Sequence, residues 1–295
     1  MLRLPLLAAL LLLGLSPHPT LSQDMTPKVV PAPPPRTGSS LQTDRAAIID
    51  AARSYCQQLS AGIAHADALA EACEFSMSIQ YLMPDYLCTQ TMKPEGPPHY
   101  QIGAPQLEIT AEVGLQNGRE SYSDIRVNGK PANLDFSRIS FGSVGEFGSL
   151  LRAIFHPQNK AQFTFVKDGH LRSTPALLFE FTVHQENNKS LWFLRSRGKT
   201  FYPGYHGSMW LDKTTFRILR LEMKAIEMEK AKIPFSQFNL TTDYADTPLG
   251  DGTSFVLPVQ TETRGCTSEM ACLGNSLHFS NCRKFAAKSR ILPTP

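Results

Sequence analysis

The residues with the best-defined chemistry are six cysteines: Cys56, Cys73, Cys88, Cys266, Cys272 and Cys282. Thiols in this number either pair as disulfides or hold a metal such as zinc. No two stand in a Cys-x-x-Cys pair, and no histidine follows at zinc-finger spacing, so disulfides are the expected chemistry. Several connectivities are open. Cys266 and Cys272 flank the short loop Thr-Ser-Glu-Met-Ala and could close a hairpin. Cys56 and Cys73 fall on two consecutive helical segments and could staple them, which would leave Cys88 to join Cys282, the first strand to the last.

The remaining reactive side chains do not assemble into a catalytic pattern. His65, His99, His156, His170, His184, His206 and His278 are dispersed, and no His-Glu-x-x-His motif occurs. Gly142-Ser-Val-Gly145-Glu-Phe-Gly148 is glycine-rich but is neither a Walker loop nor a dinucleotide fingerprint. No Gly-x-Ser-x-Gly elbow is present. Asp243 and Asp246 read as a solvated acidic pair around a turn. Asn188-Lys-Ser and Asn239-Leu-Thr match the glycosylation sequon. These patterns give a non-enzymatic reading, with no cofactor and no metal ligands assigned.

What remains is apolar. Phe147, Leu151, Phe155, Phe181, Trp192 and Trp210 are the candidate lining of a ligand pocket, with Phe163 and Phe193 as further aromatics. The same residues would serve equally to fill a core.

The elements that must position these residues follow from punctuation and period. Arg3, the apolar run Leu4 to Leu15, Pro17 and the small residues Thr20-Leu-Ser22 read as a secretory signal peptide over 1–22, cleaved after Ser22. The apolar run falls short of the roughly 20 residues a spanning helix needs, and no lipobox cysteine follows, so no transmembrane anchor is expected. Residues 23–43, with Val-Pro-Ala-Pro-Pro-Pro-Arg, read as a Pro-rich linker. An N-terminal helical hairpin is predicted over 44–82, with Asp44 as N-cap and Ile48, Ala52, Tyr55, Cys56 and Leu59 on one face, then a second helix from Asp67 to Tyr81. Over 83–288 short alternating runs dominate, with Asn117-Gly118 and Asn128-Gly129 marking tight hairpins. Predicted strands include 107–113, 121–127, 162–167, 176–184, 190–195, 206–211, 217–225, 239–245, 254–262 and 276–285. Asp212 is placed to hydrogen-bond the backbone of an Asp-Lys-Thr-Thr turn. One amphipathic helix, Ser143 to Phe155, interrupts the strands and is stopped by Pro157. The expected fold is α+β, mainly β: a strongly curved antiparallel sheet or half-barrel with the inserted helix on its concave face.

Charge excludes one class of partner. Lysine and arginine number 29 against 26 aspartates and glutamates, for a net +3, and the basic residues are scattered, so nucleic acid is not expected. Gly207-Ser-Met-Trp-Leu-Asp-Lys-Thr-Thr-Phe-Arg-Ile-Leu-Arg-Leu-Glu222 resembles a hairpin of periplasmic Lol-type lipoprotein carriers, in which Trp-x-Asp leads into a strand ending Arg-x-Glu. Leu82 to Phe285 is also similar to a group of exported bacterial proteins of unassigned function, through Leu87-Cys-Thr-Gln90, Ser143 to Pro157 and the Cys266–Cys272 loop. The carrier resemblance implies a half-barrel that binds acyl chains under a helical lid. The expectation is a periplasmic or extracellular protein, soluble after cleavage, that binds a hydrophobic ligand such as a lipid or an acylated protein. The alternative is a structural or interaction module with a filled core.

Overall fold

The computed structural model describes residues 38–95, 107–116, 119–133, 145–188, 192–196, 199–233, 235–250, 252–266 and 272–284. The expected signal peptide, the linker as far as residue 37, His99, the Asn117-Gly118 turn and residues 285–288 lie outside them. In chain order the elements are α1 (Gly38–Ser60), α2 (Ala66–Leu82), β1 (Tyr86–Glu95), β2 (Ile109–Gln116), β3 (Arg119–Val127), β4 (Lys130–Pro131), α3 (Ser149–Phe155), β5 (Gln162–Leu171), β6 (Thr174–Val183), β7 (Leu194–Ser196), β8 (Lys199–Phe201), β9 (Gly204–Asp212), β10 (Ile218–Ile226), β11 (Gln237–Pro248), β12 (Ser254–Cys266) and β13 (Cys272–Lys284). Eleven strands form one antiparallel sheet in the order β4-β3-β2-β1-β13-β12-β11-β10-β9-β6-β5, while β7 and β8 pair apart from it. The sheet is open, with β4 and β5 at its two edges.

Period-two alternation gives the sheet one dry and one wet face. Leu177, Phe179, Phe181, Tyr205, Met209, Leu211, Leu221 and Met223 are buried on the inner face. On the outer face one polar row runs Glu180–Ser208–Glu222–Thr241–Glu262–Ser276–Lys93 across seven strands. Register shifts at Leu87/Thr89, Thr110/Glu112, Phe165/Lys167, Ile218/Arg220 and Asp243/Tyr244 mark bulges, which bend strands and curve the sheet. Phe181 lies across Gly207, where an added Cβ would stand 2.5 Å from its ring.

The connection from β4 to β5 joins opposite edges of the sheet, so it must cross the inner face, and α3 lies in that crossing. Leu150, Leu151, Ala153, Ile154 and Phe155 of α3 are all buried. The helical hairpin covers α3: a Cβ at Gly148 would stand 2.8 Å from Ile79 Cγ2 of α2. The disulfide Cys56–Cys73 staples α1 to α2, Cys88–Cys282 joins β1 to β13, and Cys266–Cys272 closes the β12–β13 hairpin. Arg53 reinforces the first staple with hydrogen bonds of 2.9–3.2 Å to Glu74.

Several expectations are corrected. Helix α1 begins at Gly38, so Asp44 lies within it rather than at its N-cap. Ile48, assigned to the buried face, is exposed. The inserted helix starts at Ser149, not Ser143, because Gly145 (φ 102°) and Gly148 (φ 148°) take conformations that no right-handed helix contains. Of the strand expected over 190–195, residues 190 and 191 lie outside the described residues, and among the rest only Leu194 and Arg195 are in a strand, the short β7. Asp243 and Asp246 sit within β11, and each is ion-paired: Asp243 with Arg220 at 2.6 Å and Arg172 at 3.0 Å, Asp246 with Arg217.

Candidate functional site

A cavity of about 320 Å³ opens at the rim of the sheet, between α2 and the start of β12. Its apolar wall is Phe75 on α2, Phe216 and Ile218 after the β9 turn, and Phe255 and Val256 on β12, with Glu71 and Arg217 as its charged members. The turn is positioned by Asp212, whose Oδ1 accepts from Thr214 N at 2.8 Å and Thr215 N at 2.7 Å. These bonds hold the Asp212 carboxylate below its ordinary pKa against the opposing effect of its burial. Phe216 then adopts a left-handed backbone (φ 53°) as the chain enters β10. The size lies at the lower end of the range for small-molecule pockets, and the wall is of the apolar type such pockets use.

The centre of the inner face is filled. Phe155 stacks on Phe163 at 5.1 Å, Phe163 meets Phe181 at 6.0 Å, Phe181 meets Tyr205 at 6.4 Å, and Tyr205 meets Trp192 at 5.1 Å. Leu151, Phe155, Phe181 and Trp192 therefore share one buried cluster. Phe147 belongs to a second, against Tyr86 at 5.6 Å and Phe279 at 4.9 Å. Trp210 is not brought to them. Met209 and Leu211 point inward, so Trp210 between them stands on the outer face, in the row of Leu178 and Arg220 and over Gly169. Asn188, the first sequon residue, is buried, and its Nδ2 donates to Trp192 O at 2.6 Å and Pro203 O at 2.8 Å, which ties down the aromatic cluster instead of offering a glycan acceptor.

Around the start of α3 a second group of polar residues converges. Glu120 on β3 accepts from Gly145 N at 3.0 Å and Ser149 Oγ at 3.4 Å. Glu146 has no exposed surface, and its carbonyl accepts from Tyr244 Oη at 3.5 Å. Burial, then the neighbouring Glu146 charge, push the Glu120 carboxyl up to about 7, although its hydrogen bonds pull the other way. Tyr86, Tyr122 and Tyr244 are raised far above the ordinary tyrosine value, first by burial and then by these carboxylates, so each keeps its proton.

Sequence reasoning missed both groups. Phe216 lay inside the hairpin segment quoted for the carrier resemblance, and its signal was an apolar residue directly after a turn. Glu146 was visible as an acid inside an otherwise apolar helical period. Phe75, Ile218, Phe255 and Val256 carried no local signal, because their convergence depends on α2 crossing the sheet rim.

Among the described residues no three His, Cys, Asp or Glu side chains gather as metal ligands, and no helix is long and apolar enough to cross a membrane. No family model and no curated relative matches the chain. Among solved structures it is similar to a LolA superfamily protein from Nitrosomonas europaea, at 12% identity over 74% of this chain and 94% of that one, with a TM-score of 0.36. It is similar to a DUF1329 family protein from Desulfovibrio piger, at 9% identity over 82% and 95%, TM-score 0.38. A domain from Vibrio parahaemolyticus named for outer membrane lipoprotein sorting is 14% identical over 72% and 90%, TM-score 0.36.

Proposed function

We propose that the protein is an exported, non-enzymatic binding protein for a hydrophobic ligand, an acyl chain of a lipid or of an acylated protein in the cell envelope. The observation that carries this reading is the rim cavity, whose wall of Phe75, Phe216, Ile218, Phe255 and Val256 offers an alkyl chain apolar contact. Arg217 and Glu71 at the same cavity give a polar end to the site, as an amphiphile requires. Three disulfides support export, since such bonds persist in oxidising compartments.

The test is titration of the purified protein with a dansyl-labelled fatty acid, followed by competition with a lysophospholipid. Saturable, competable binding is expected, and Phe216→Glu should weaken it about tenfold or more, because it sets a charge against the alkyl chain. Absence of saturable binding, or equal binding by the variant, overturns the reading. One observation favours a second reading: Phe147, Leu151 and Phe155 fill the middle of the sheet, as they would in a structural or interaction module with a solid core. An inert protein in the titration would support that module.

A further inference from the structure

Among the described residues β7 and β8 pair with each other and with no strand of the large sheet, in the register Leu194–Phe201, Arg195–Thr200 and Ser196–Lys199. The base of this hairpin is fixed. Asn188 Nδ2 donates to both Trp192 O and Pro203 O, which clamps the two ends of the hairpin together. Trp192 and Leu194 are buried, Trp192 against Tyr205 at 5.1 Å and Phe238 at 6.1 Å. Phe193, between them, points the other way: 38% of its surface is exposed, with the half-buried Tyr202 ring 6.3 Å from its own. Charge gathers on the same segment. Between Glu186 and Asp212 the sequence carries Lys189, Arg195, Arg197 and Lys199 and no aspartate or glutamate, although the whole chain is only net +3. Lys199 and Thr200 on β8 are exposed. The β10–β11 connection reaches the hairpin base where Gln185 N donates to Glu227 Oε2 at 2.7 Å. The flanking acids Glu186, Glu227 and Glu229 stand with Lys230 and Lys232, and Lys230 pairs with Glu227 and also feels Glu186. The hairpin therefore keeps most of its positive charge.

We propose that the β7–β8 hairpin is a docking finger for an anionic membrane surface: Phe193 and Tyr202 enter the headgroup layer, and Arg195 and Lys199 meet the lipid phosphates. An apolar ring beside a phenol, which is apolar along its body and polar at its tip, suits the membrane–water boundary. Neither signal suffices alone. One exposed aromatic gives weak, reversible binding, and a basic cluster is screened by salt within a Debye length. Together on a clamped hairpin they reinforce one another, and little ordering is left to oppose binding. Charge complementarity selects the occupant, since the most positive stretch of the chain is matched to a negative lipid surface. A protein partner would need a larger apolar patch than one pair of rings offers. The hairpin leads directly into the start of β9, whereas the turn that lines the rim cavity follows the end of β9, so docking uses none of the cavity residues. The finger does not rest on the hydrophobic-ligand reading.

Co-sedimentation of the purified protein with vesicles of equal parts phosphatidylglycerol and phosphatidylcholine, beside vesicles of phosphatidylcholine alone, tests the finger. Binding is expected to the anionic vesicles only and to fall as sodium chloride is added. Phe193→Ser should weaken it about tenfold, the loss of one partly inserted ring. The double variant Arg195→Ser/Lys199→Ser should weaken it about 25-fold, roughly fivefold per charge. Lys130→Ser removes an exposed charge from β4, at the edge of the sheet, and should change little. Phe193 and Lys199 are surface positions, so these variants keep the fold. Phe216→Glu, in the rim cavity, should dock as the wild type does. Equal binding to both vesicle types, or none, overturns the finger and leaves the hairpin to a protein partner. Wild-type binding by Phe193→Ser overturns it too, as does a loss of equal size in Lys130→Ser. Loss in Phe216→Glu would assign the vesicle binding to the cavity instead. A protein that takes up the dansyl fatty acid but ignores the vesicles keeps the ligand reading and removes the finger.

Discussion

At the C-terminal end of α3 the Ala153 carbonyl accepts two hydrogen bonds, from Asn159 Nδ2 at 2.6 Å and from Tyr205 Oη at 3.1 Å, while at the N-terminal end Gly145 N and Ser149 Oγ donate to the Glu120 carboxylate. Tyr205 keeps its proton throughout the working range, because burial raises its pKa more than the Asn159 hydrogen bond lowers it. The ionisable group near this end is His156. Burial, then Arg152, hold it below its ordinary value, and its Nδ1 accepts from Gln158 N at 3.3 Å. Its sign is opposite to that of Glu120. A histidine with a depressed folded pKa gives stability that is present above its unfolded value near 6.5 and is lost as pH falls. One short helix thus has one end whose stability contribution falls in acid and another whose contribution falls as pH rises from about 4.5 to about 7.

The largest expected break in that comparison is Phe155→Ala. Phe155 has no exposed surface and stacks on Phe163, so truncation should cost about 3–5 kcal/mol in urea unfolding at pH 7. The loss should change little from pH 5.5 to 8.5, because neither ring of the Phe155–Phe163 stack titrates. A loss that varies with pH would show that the C-terminal end responds to the Glu120 end, and the contrast between them would fail.

Much of this arrangement was legible before the structure. The Asn128-Gly129 pair does turn the chain with positive φ at both positions, 48° and 77°. Asp212 holds its turn as its side-chain chemistry predicts, and the three disulfides join the cysteines that the helices and strands bring within reach. The bounds of β1 were not legible. Its inward positions are Tyr86, Cys88, Gln90 and Met92, and the buried polar Gln90 breaks the apolar alternation a strand displays. Trp210 was misassigned because aromatic character suggests burial, whereas strand parity alone decides the face. Phe216 and Glu146 carried single-residue signals, but the rim cavity and the grouping of Glu120 with Glu146 were not legible. Glu120 and Glu146 lie on separate elements, and only the sheet-crossing path of α3 brings them together.

A smaller effect is expected from Tyr205→Phe. The variant keeps the ring in its aromatic cluster and removes one of the two donors to Ala153 O, while Asn159 Nδ2 remains as the other. About 1 kcal/mol of destabilisation is expected, as for a buried hydrogen bond that is partly replaced. It should be flat from pH 7 to 8.5, and a slope in that window would mean that the neutral anchor is coupled to the carboxylates.

The smallest change sharpens the contrast most. Tyr86 is the counterpart of Tyr205 at the other end of α3: each is a fully buried tyrosine packed in an aromatic cluster, Tyr86 against Phe147. Tyr205 Oη has its carbonyl, but Tyr86 Oη has no hydrogen-bond partner. A desolvated hydroxyl without a partner opposes folding, so Tyr86→Phe should leave stability unchanged or raise it by up to about 1 kcal/mol at pH 6.5. At pH 8.5 Glu120 is ionised, and the Tyr86 hydroxyl dipole lies within reach of its charge, so the small gain should shrink or vanish. Thermal unfolding of the two tyrosine variants side by side at both pH values measures this directly. A gain of equal size at both would place Tyr86 outside the reach of the Glu120 charge.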